Sequence, residues 1–111
     1  MPLPAAAAPV NLYEAAGQLS VAVPVPGAHA EHTRVVVEPR RVVIDAECKY
    51  PQEQQQYLRR DWQVGAWRVA VDLPRTIDPQ AARATLNLGV LVVMAPFAEH
   101  EAGRRELRPE S

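Results

Sequence analysis

Short stretches in which apolar residues occupy every second position, separated by proline and glycine, most limit what this chain can fold into. The pattern is clearest in residues 67–73, where Trp67, Val69, Val71 and Leu73 alternate with smaller or charged residues. A period of two places the apolar side chains on one face of a β-strand. The 15 valines and 11 prolines favour strands and turns over long helices. The sequence therefore predicts an all-β protein.

The spacing of these stretches predicts how the strands are arranged. Seven or eight short strands that recur about every 8–12 residues are typical of a β-sandwich. We therefore predict an immunoglobulin-like β-sandwich of seven to eight antiparallel strands. The predicted strands cover residues 10–16, 19–25, 33–38, 41–48, 65–73, 82–88 and 90–94, with a possible short strand at 57–62. Residues 81–88 also have the propensity for one helical turn, which is the alternative there.

The two ends of the chain differ in composition from its middle. Residues 1–9 are rich in proline and alanine, so we expect an extended, mobile arm there. Residues 99–111 are charged and contain Leu107 as their one sizeable apolar residue, which predicts a flexible, solvated tail. The folded domain is expected to occupy residues 10–98.

Charge and composition argue against several classes of function. Twelve basic and 13 acidic residues give a net charge of -1, which offers no general attraction to nucleic acid or to anionic lipid. The longest apolar stretch, residues 88–98, is far shorter than the roughly 20 residues that cross a membrane. A single cysteine, Cys48, cannot form an internal disulfide. No signal-peptide pattern is present, and we expect a soluble, cytoplasmic protein that binds neither nucleic acid nor membranes.

Residues suited to catalysis or to a cofactor are sparse. Ser20 lies within a predicted strand, and no glycine begins a phosphate-binding loop. His29 and His32 lack a second pair of metal ligands, and solvated loop histidines are the simpler interpretation. Asp45 and Glu47 alternate on one strand, as expected for an exposed polar face. We therefore predict no enzyme, no cofactor and no metal site.

Three short motifs, in this order, resemble the α-crystallin domain of the small heat-shock proteins. They are a strand ending in Pro-Val-Pro-Gly at residues 24–27, Gly-Ala-Trp at 65–67 with Leu-Pro at 73–74, and Ala-Thr-Leu-Asn-Leu-Gly-Val-Leu at 84–91. In the third motif, Leu88 precedes Gly89 where the family usually has asparagine. The family's C-terminal Ile-x-Ile/Val anchor is missing, since Leu107 is the one aliphatic residue in Glu-Leu-Arg-Pro.

The resemblance implies an ATP-independent chaperone, a holdase that binds partly unfolded client proteins and suppresses their aggregation. An alternative is a co-chaperone or scaffold module of the same fold that binds a folded partner. Clients, or the tail, are expected in a groove lined by Val35, Val37, Ala84 and Leu86. The competing interpretation is that these four residues are ordinary core.

The resemblance also implies a homodimer formed by strand exchange. The excursion at residues 48–64 would carry a small strand that pairs with the first strand of the partner. The residues expected at this interface are Leu12, Tyr13, Glu14, Tyr57, Leu58, Arg59, Asp61 and Trp62. An alternative is that Tyr57 and Trp62 cover the sandwich of their own subunit. Because the Ile-x-Ile/Val anchor is missing, assembly is expected to stop at the dimer.

Overall fold

The computed structural model describes residues 9–47, 55–59, 61, 66–99 and 103–110. These residues form eight β-strands and two short 3₁₀ turns, which confirms the all-β prediction. The strands are β1 (Asn11–Ala15), β2 (Gln18–Pro24), β3 (Thr33–Glu38), β4 (Arg41–Ala46), β5 (Trp67–Asp72), β6 (Arg83–Asn87), β7 (Val90–Pro96) and β8 (Arg105–Leu107). No helix among the described residues is long and apolar enough to cross a membrane.

The strands form two four-stranded sheets, in the orders β1-β2-β7-β6 and β5-β4-β3-β8, and neighbouring strands are antiparallel. We call them the β2 sheet and the β4 sheet. The predicted β-sandwich is therefore confirmed, with eight antiparallel strands. The bounds of β3 are those predicted, and β7 lies in the interior of its sheet, as its run of apolar residues indicated.

The core lies between the two sheets and follows the predicted alternation. In β2, Leu19, Val21 and Val23 point inward and are buried, and Val42 and Ile44 of β4 meet them from the other sheet. The burial of apolar area between the sheets is the main term that stabilises such a sandwich. Alternation along each strand thus decides which residues form the core.

The eighth strand is not where the sequence placed it. The described residues 55–59 of the excursion contain no strand, and its remaining residues, Asp61 apart, lie outside the described part of the chain. Instead, β8 forms within the predicted tail, at Arg105–Leu107. A three-residue strand with one apolar side chain carries too little periodicity to be recognised from sequence.

The hairpin between β6 and β7 interrupts a predicted alternation. Ala82, Ala84 and Leu86 are buried as expected, but Leu88 is 95% exposed. Leu88 and Gly89 form a two-residue turn with φ of 53° and 79°. Turns with two positive φ values match the twist of a hairpin, and the chain reverses before Leu88 can continue the strand. The helical alternative for residues 81–88 is wrong, because Arg83–Asn87 form β6; a separate 3₁₀ turn, Pro79–Ala81, precedes it.

Candidate functional site

The edges of β3 and β6 are joined by one extended piece of chain, residues 103–110, called the C-terminal segment below. Its strand β8 pairs with β3, with Leu107 opposite Val35. Further on, the Glu110 amide donates to the Ala84 carbonyl at 2.9 Å, and the Leu86 amide donates to the Glu110 carbonyl at 2.6 Å. The C-terminal segment therefore forms backbone hydrogen bonds with an edge of each sheet.

The side chains of the C-terminal segment alternate between the groove and solvent. Leu107 packs partly buried against the core and Pro109 is buried, whereas Arg108 between them is exposed. Residues two apart on an extended chain share a face, so Leu107 and Pro109 both point into the groove. Leu-x-Pro thus occupies a groove where the sequence analysis found only one aliphatic residue. The sequence pattern did not indicate the second position, because Pro109 is not one of the aliphatic residues of the Ile-x-Ile/Val anchor although its ring is buried here.

The four residues predicted to line a groove all border the C-terminal segment. Val35 and Val37 lie on β3, Ala84 and Leu86 lie on β6, and all four are buried. The structure therefore brings together residues that are about 50 positions apart in sequence. A cavity of about 130 Å³ remains beside Ala84, between β6 and the C-terminal segment.

Polar contacts hold the C-terminal segment along its length. The Arg105 guanidinium donates to the carbonyls of Gln80 at 2.8 Å and of Ala82 at 3.2 Å. The Arg108 guanidinium donates to the Glu31 carbonyl. These arginines contact loops on opposite sides of the groove, before β6 and before β3. The segment is thus attached by side chains as well as by its backbone.

A row of charges crosses the outer face of the β4 sheet and reaches the C-terminal segment. Asp45 contacts Arg68 of β5 and Arg34 of β3, both at 3.5 Å, and Arg34 contacts Glu106 of β8 at 3.9 Å. The row runs along one register line of the sheet, since Arg34, Asp45 and Arg68 are paired positions. Asp45 is thus part of a structural ion-pair row on an exposed polar face, as its alternation with Glu47 indicated.

The residues predicted for strand exchange are exposed where the structure describes them. Leu12, Tyr13 and Glu14 lie on β1, all of whose residues are exposed. Among the described residues, no strand pairs with the outer edge of β1. Tyr57, Leu58, Arg59 and Asp61 are exposed, and an ion pair of 3.0 Å joins the last two. Trp62 lies outside the described residues.

The groups considered for chemistry are dispersed. Within the part of the chain that the structure describes, no three His, Cys, Asp or Glu side chains are placed to hold a metal ion. The rings of His29 and His32 meet edge to face, 6.4 Å apart, and both residues are exposed. Cys48 lies outside the described residues. The groove and the free edge of β1 are therefore the two candidate binding surfaces among the described residues.

Two stacked antiparallel sheets with a C-terminal segment across their edges define an α-crystallin-type sandwich. The model of the Hsp20/alpha crystallin family matches residues 12–108, and the chain belongs to this family. No curated protein sequence matches the chain.

Solved structures of small heat-shock proteins share the fold at low sequence identity. HspA from Xanthomonas axonopodis has a TM-score of 0.74 at 19% identity, covering 85% of this chain and 96% of that protein. Heat shock protein 16.0 from Schizosaccharomyces pombe has a TM-score of 0.72 at 20% identity, covering 86% and 70%. A small heat-shock protein from Xylella fastidiosa has a TM-score of 0.69 at 22% identity, covering 88% and 92%.

Proposed function

We propose that this protein is an ATP-independent holdase that binds extended, partly unfolded segments of client proteins in the groove between β3 and β6. Membership of the Hsp20/alpha crystallin family, whose members are generally chaperones, supports this function. The observation that carries the choice of site is the C-terminal segment itself. It shows that the groove accepts an extended chain through backbone bonds to both sheets.

A client segment would make the same kinds of contact. Two apolar residues at positions i and i+2 would replace Leu107 and Pro109, and the backbone would pair with the edge of β3. Backbone pairing of this kind is independent of side-chain identity, while the apolar contacts favour unfolded over folded chains. Because the C-terminal segment occupies the groove, a client has to displace it. The C-terminal segment and the client would therefore compete for the same groove.

The decisive experiment measures heat-induced aggregation of an unrelated client by light scattering, without nucleotide. The native chain in stoichiometric excess is expected to lower the scattering. Leu107→Ser weakens the seating of the C-terminal segment and is expected to increase protection per chain. Leu88→Ser is the matched control, because it removes an exposed leucine from a turn outside the groove.

Two results would contradict the proposal. Unchanged scattering in the presence of excess native chain would exclude a holdase and favour a module that binds a folded partner. If Leu107→Ser protects less than the native chain at equal content of folded protein, clients bind elsewhere.

We also propose a cytoplasmic homodimer. Its interface would consist of the exposed edge of β1, with Leu12, Tyr13 and Glu14, and the partner's excursion with its Tyr57, Leu58, Arg59, Asp61 and Trp62. Pairing with the free edge of β1 would cover backbone groups that otherwise remain open to other chains. Growth beyond the dimer is not expected, since Leu107 and Pro109 occupy the groove of their own chain.

A further inference from the structure

The C-terminal segment turns one charged side chain toward the groove. Arg105 and Leu107 are two residues apart on an extended strand, so they share a face. They are paired with Val37 and Val35 of β3, both of which are buried. Arg105 is half-buried, whereas the residues on either side of it are exposed. A cationic group on the face that meets the core has to find hydrogen-bond partners there, because burying it without them is costly.

The partners of Arg105 are two backbone carbonyls on the opposite side of the groove. One terminal nitrogen of its guanidinium, Nη1, donates to the Gln80 carbonyl at 2.8 Å and to the Ala82 carbonyl at 3.2 Å. Arg105 therefore starts at the edge of β3 and ends at the chain that leads into β6. Carbonyl oxygens only accept hydrogen bonds, so a pair of them favours a cationic donor. We call the carbonyls of Gln80 and Ala82 the carbonyl subsite.

The carbonyl subsite is held in place by the 3₁₀ turn Pro79–Ala81. The first residue of the turn, Pro79, is fully buried, and Ala82, which follows the turn, is buried as well. The Asp78 carboxylate accepts a hydrogen bond from the Gln80 amide at 3.0 Å and caps the turn. None of these contacts involves Arg105, so the two carbonyls are held in position without it. A preorganised site of this kind loses little entropy when a ligand binds.

The carbonyl subsite gives the groove a direction. Apolar contacts alone do not distinguish the two directions of an extended chain, since the hydrophobic effect is non-directional. The carbonyl subsite, however, lies beyond the position of Leu107, on the side away from Pro109. An arginine two residues before the aliphatic residue reaches it, after about 6.7 Å of strand. An arginine two residues after the aliphatic residue would point to the opposite end of the groove.

We propose that the groove selects extended segments in which an arginine stands two residues before an aliphatic residue, and that the carbonyl subsite binds its guanidinium. This inference rests on the proposed function, because it names the class of client segment that the groove takes. A guanidinium suits the site, since two hydrogens of one nitrogen reach two carbonyls, whereas lysine is shorter and its ammonium more strongly hydrated. The recognised unit is thus Arg-x-aliphatic, and Arg105-Glu106-Leu107 is its example in this chain.

The test measures how tightly eight-residue peptides bind to the full chain. The probe is a fluorescein-labelled peptide copied from residues 103–110, Gly-Arg-Arg-Glu-Leu-Arg-Pro-Glu, and binding is followed by fluorescence anisotropy. The receptor is the full chain carrying Arg105→Ala and Leu107→Ser, so that its own segment competes poorly for the groove. The Arg105→Ala peptide is expected to bind about tenfold more weakly than the native peptide, because it lacks two charge-assisted hydrogen bonds. The Arg105→Lys peptide should also bind more weakly than the native one.

Two control peptides separate the position of the arginine from its charge. Arg104→Ala makes the same chemical change at an exposed neighbour and should leave the affinity within about twofold of the native peptide. Exchanging Arg105 with Glu106 keeps the composition and net charge of the peptide but places a carboxylate at the carbonyl subsite. That peptide is expected to bind no better than the Arg105→Ala peptide.

A variant of the receptor locates the carbonyl subsite. Asp78→Ala removes the cap of the 3₁₀ turn and is expected to weaken the native peptide several-fold, while the Arg105→Ala peptide binds as before. Asp72→Ala removes the same charge from a nearly fully exposed residue and should affect neither peptide. An equal effect of Asp78→Ala on both peptides, or none on either, would place the guanidinium elsewhere and overturn the proposal.

The outcomes distinguish this proposal from the proposed function. If the native and Arg105→Ala peptides bind equally well, the groove takes extended chains regardless of arginine, so the selectivity proposed here fails while the proposed function stands. If neither peptide binds, both fail. In the client assay, the native peptide should restore light scattering at about a tenfold lower concentration than the Arg105→Ala peptide. Binding that depends on arginine but leaves client scattering unchanged would support the carbonyl subsite and contradict the proposed function alone.

Discussion

At the scale of single residues, Leu88 is held in a conformation that leucine rarely adopts. Its φ of 53° lies in the left-handed region, which costs a side-chain-bearing residue about 1–2 kcal/mol. Its side chain is 95% exposed, so no packing offsets that cost. Leu88→Asn is expected to raise the free energy of unfolding by about 0.5–1 kcal/mol, because asparagine tolerates this region better. Urea denaturation at equilibrium measures the change.

The control for this prediction is Leu58→Asn, which replaces an equally exposed leucine whose φ is not positive. Its stability is expected to stay unchanged. A lower urea midpoint for Leu88→Asn would mean that Leu88 contributes through contacts rather than through backbone strain.

At the scale of elements, the C-terminal segment is expected to unfold separately from the sandwich. Leu107→Ser removes its partly buried apolar side chain and should loosen the segment by about 1.4 kcal/mol, a tenfold change in the opening equilibrium. The Leu86 amide, which donates to the Glu110 carbonyl, should then exchange its hydrogen about tenfold faster.

The Val25 amide provides the internal reference for that measurement. It donates to the Gly89 carbonyl at 2.8 Å, outside the contacts of the C-terminal segment, and its exchange should stay constant. Equal acceleration at Leu86 and Val25 would show that the segment opens only with the whole domain.

The charged row on the β4 sheet is expected to contribute little stability. Asp45 contacts Arg34 and Arg68, but the arginine side chains are more than half exposed, and water screens such pairs. Asp45→Asn should lower the free energy of unfolding by no more than about 1 kcal/mol, and less at high salt. Asp72→Asn, at a nearly fully exposed partner of Arg41, is the control and should have no effect. A larger loss at Asp45 would mean that the row acts as a cooperative network.

At the scale of the whole molecule, the proposed strand exchange makes assembly dependent on the excursion. Replacing residues 51–60 with a four-residue turn removes most of the element proposed to pair with the partner's β1, so sedimentation should report a monomer. The native chain is expected to sediment as a dimer. An unchanged dimer in the shortened chain would exclude strand exchange, and a 12- or 24-mer of the native chain would show that the C-terminal segment leaves its own groove.

Much of the sandwich was predictable because its signals are local. The bounds of β3 and the buried positions of β2 follow from alternation within a few residues. The turn at Leu88 was not predicted, since leucine gives no signal for a positive φ, and the usual asparagine is absent there. Val35, Val37, Ala84 and Leu86 belong to the hydrophobic core, as the competing interpretation held, and their role in lining a client groove stays a prediction that came from resemblance to a family. Nothing in the local pattern links Val35 to Leu86.

The sequence by itself determined where the first seven strands lie and which side of strands such as β2 and β4 is buried, because a period of two and the placement of proline and glycine act over short distances. The tertiary structure alone decided where the C-terminal segment lies. Its three-residue strand has no stability of its own and exists because the edges of β3 and β6 supply hydrogen-bond partners. Those edges come from distant parts of the chain and are brought side by side only when the two sheets pack together.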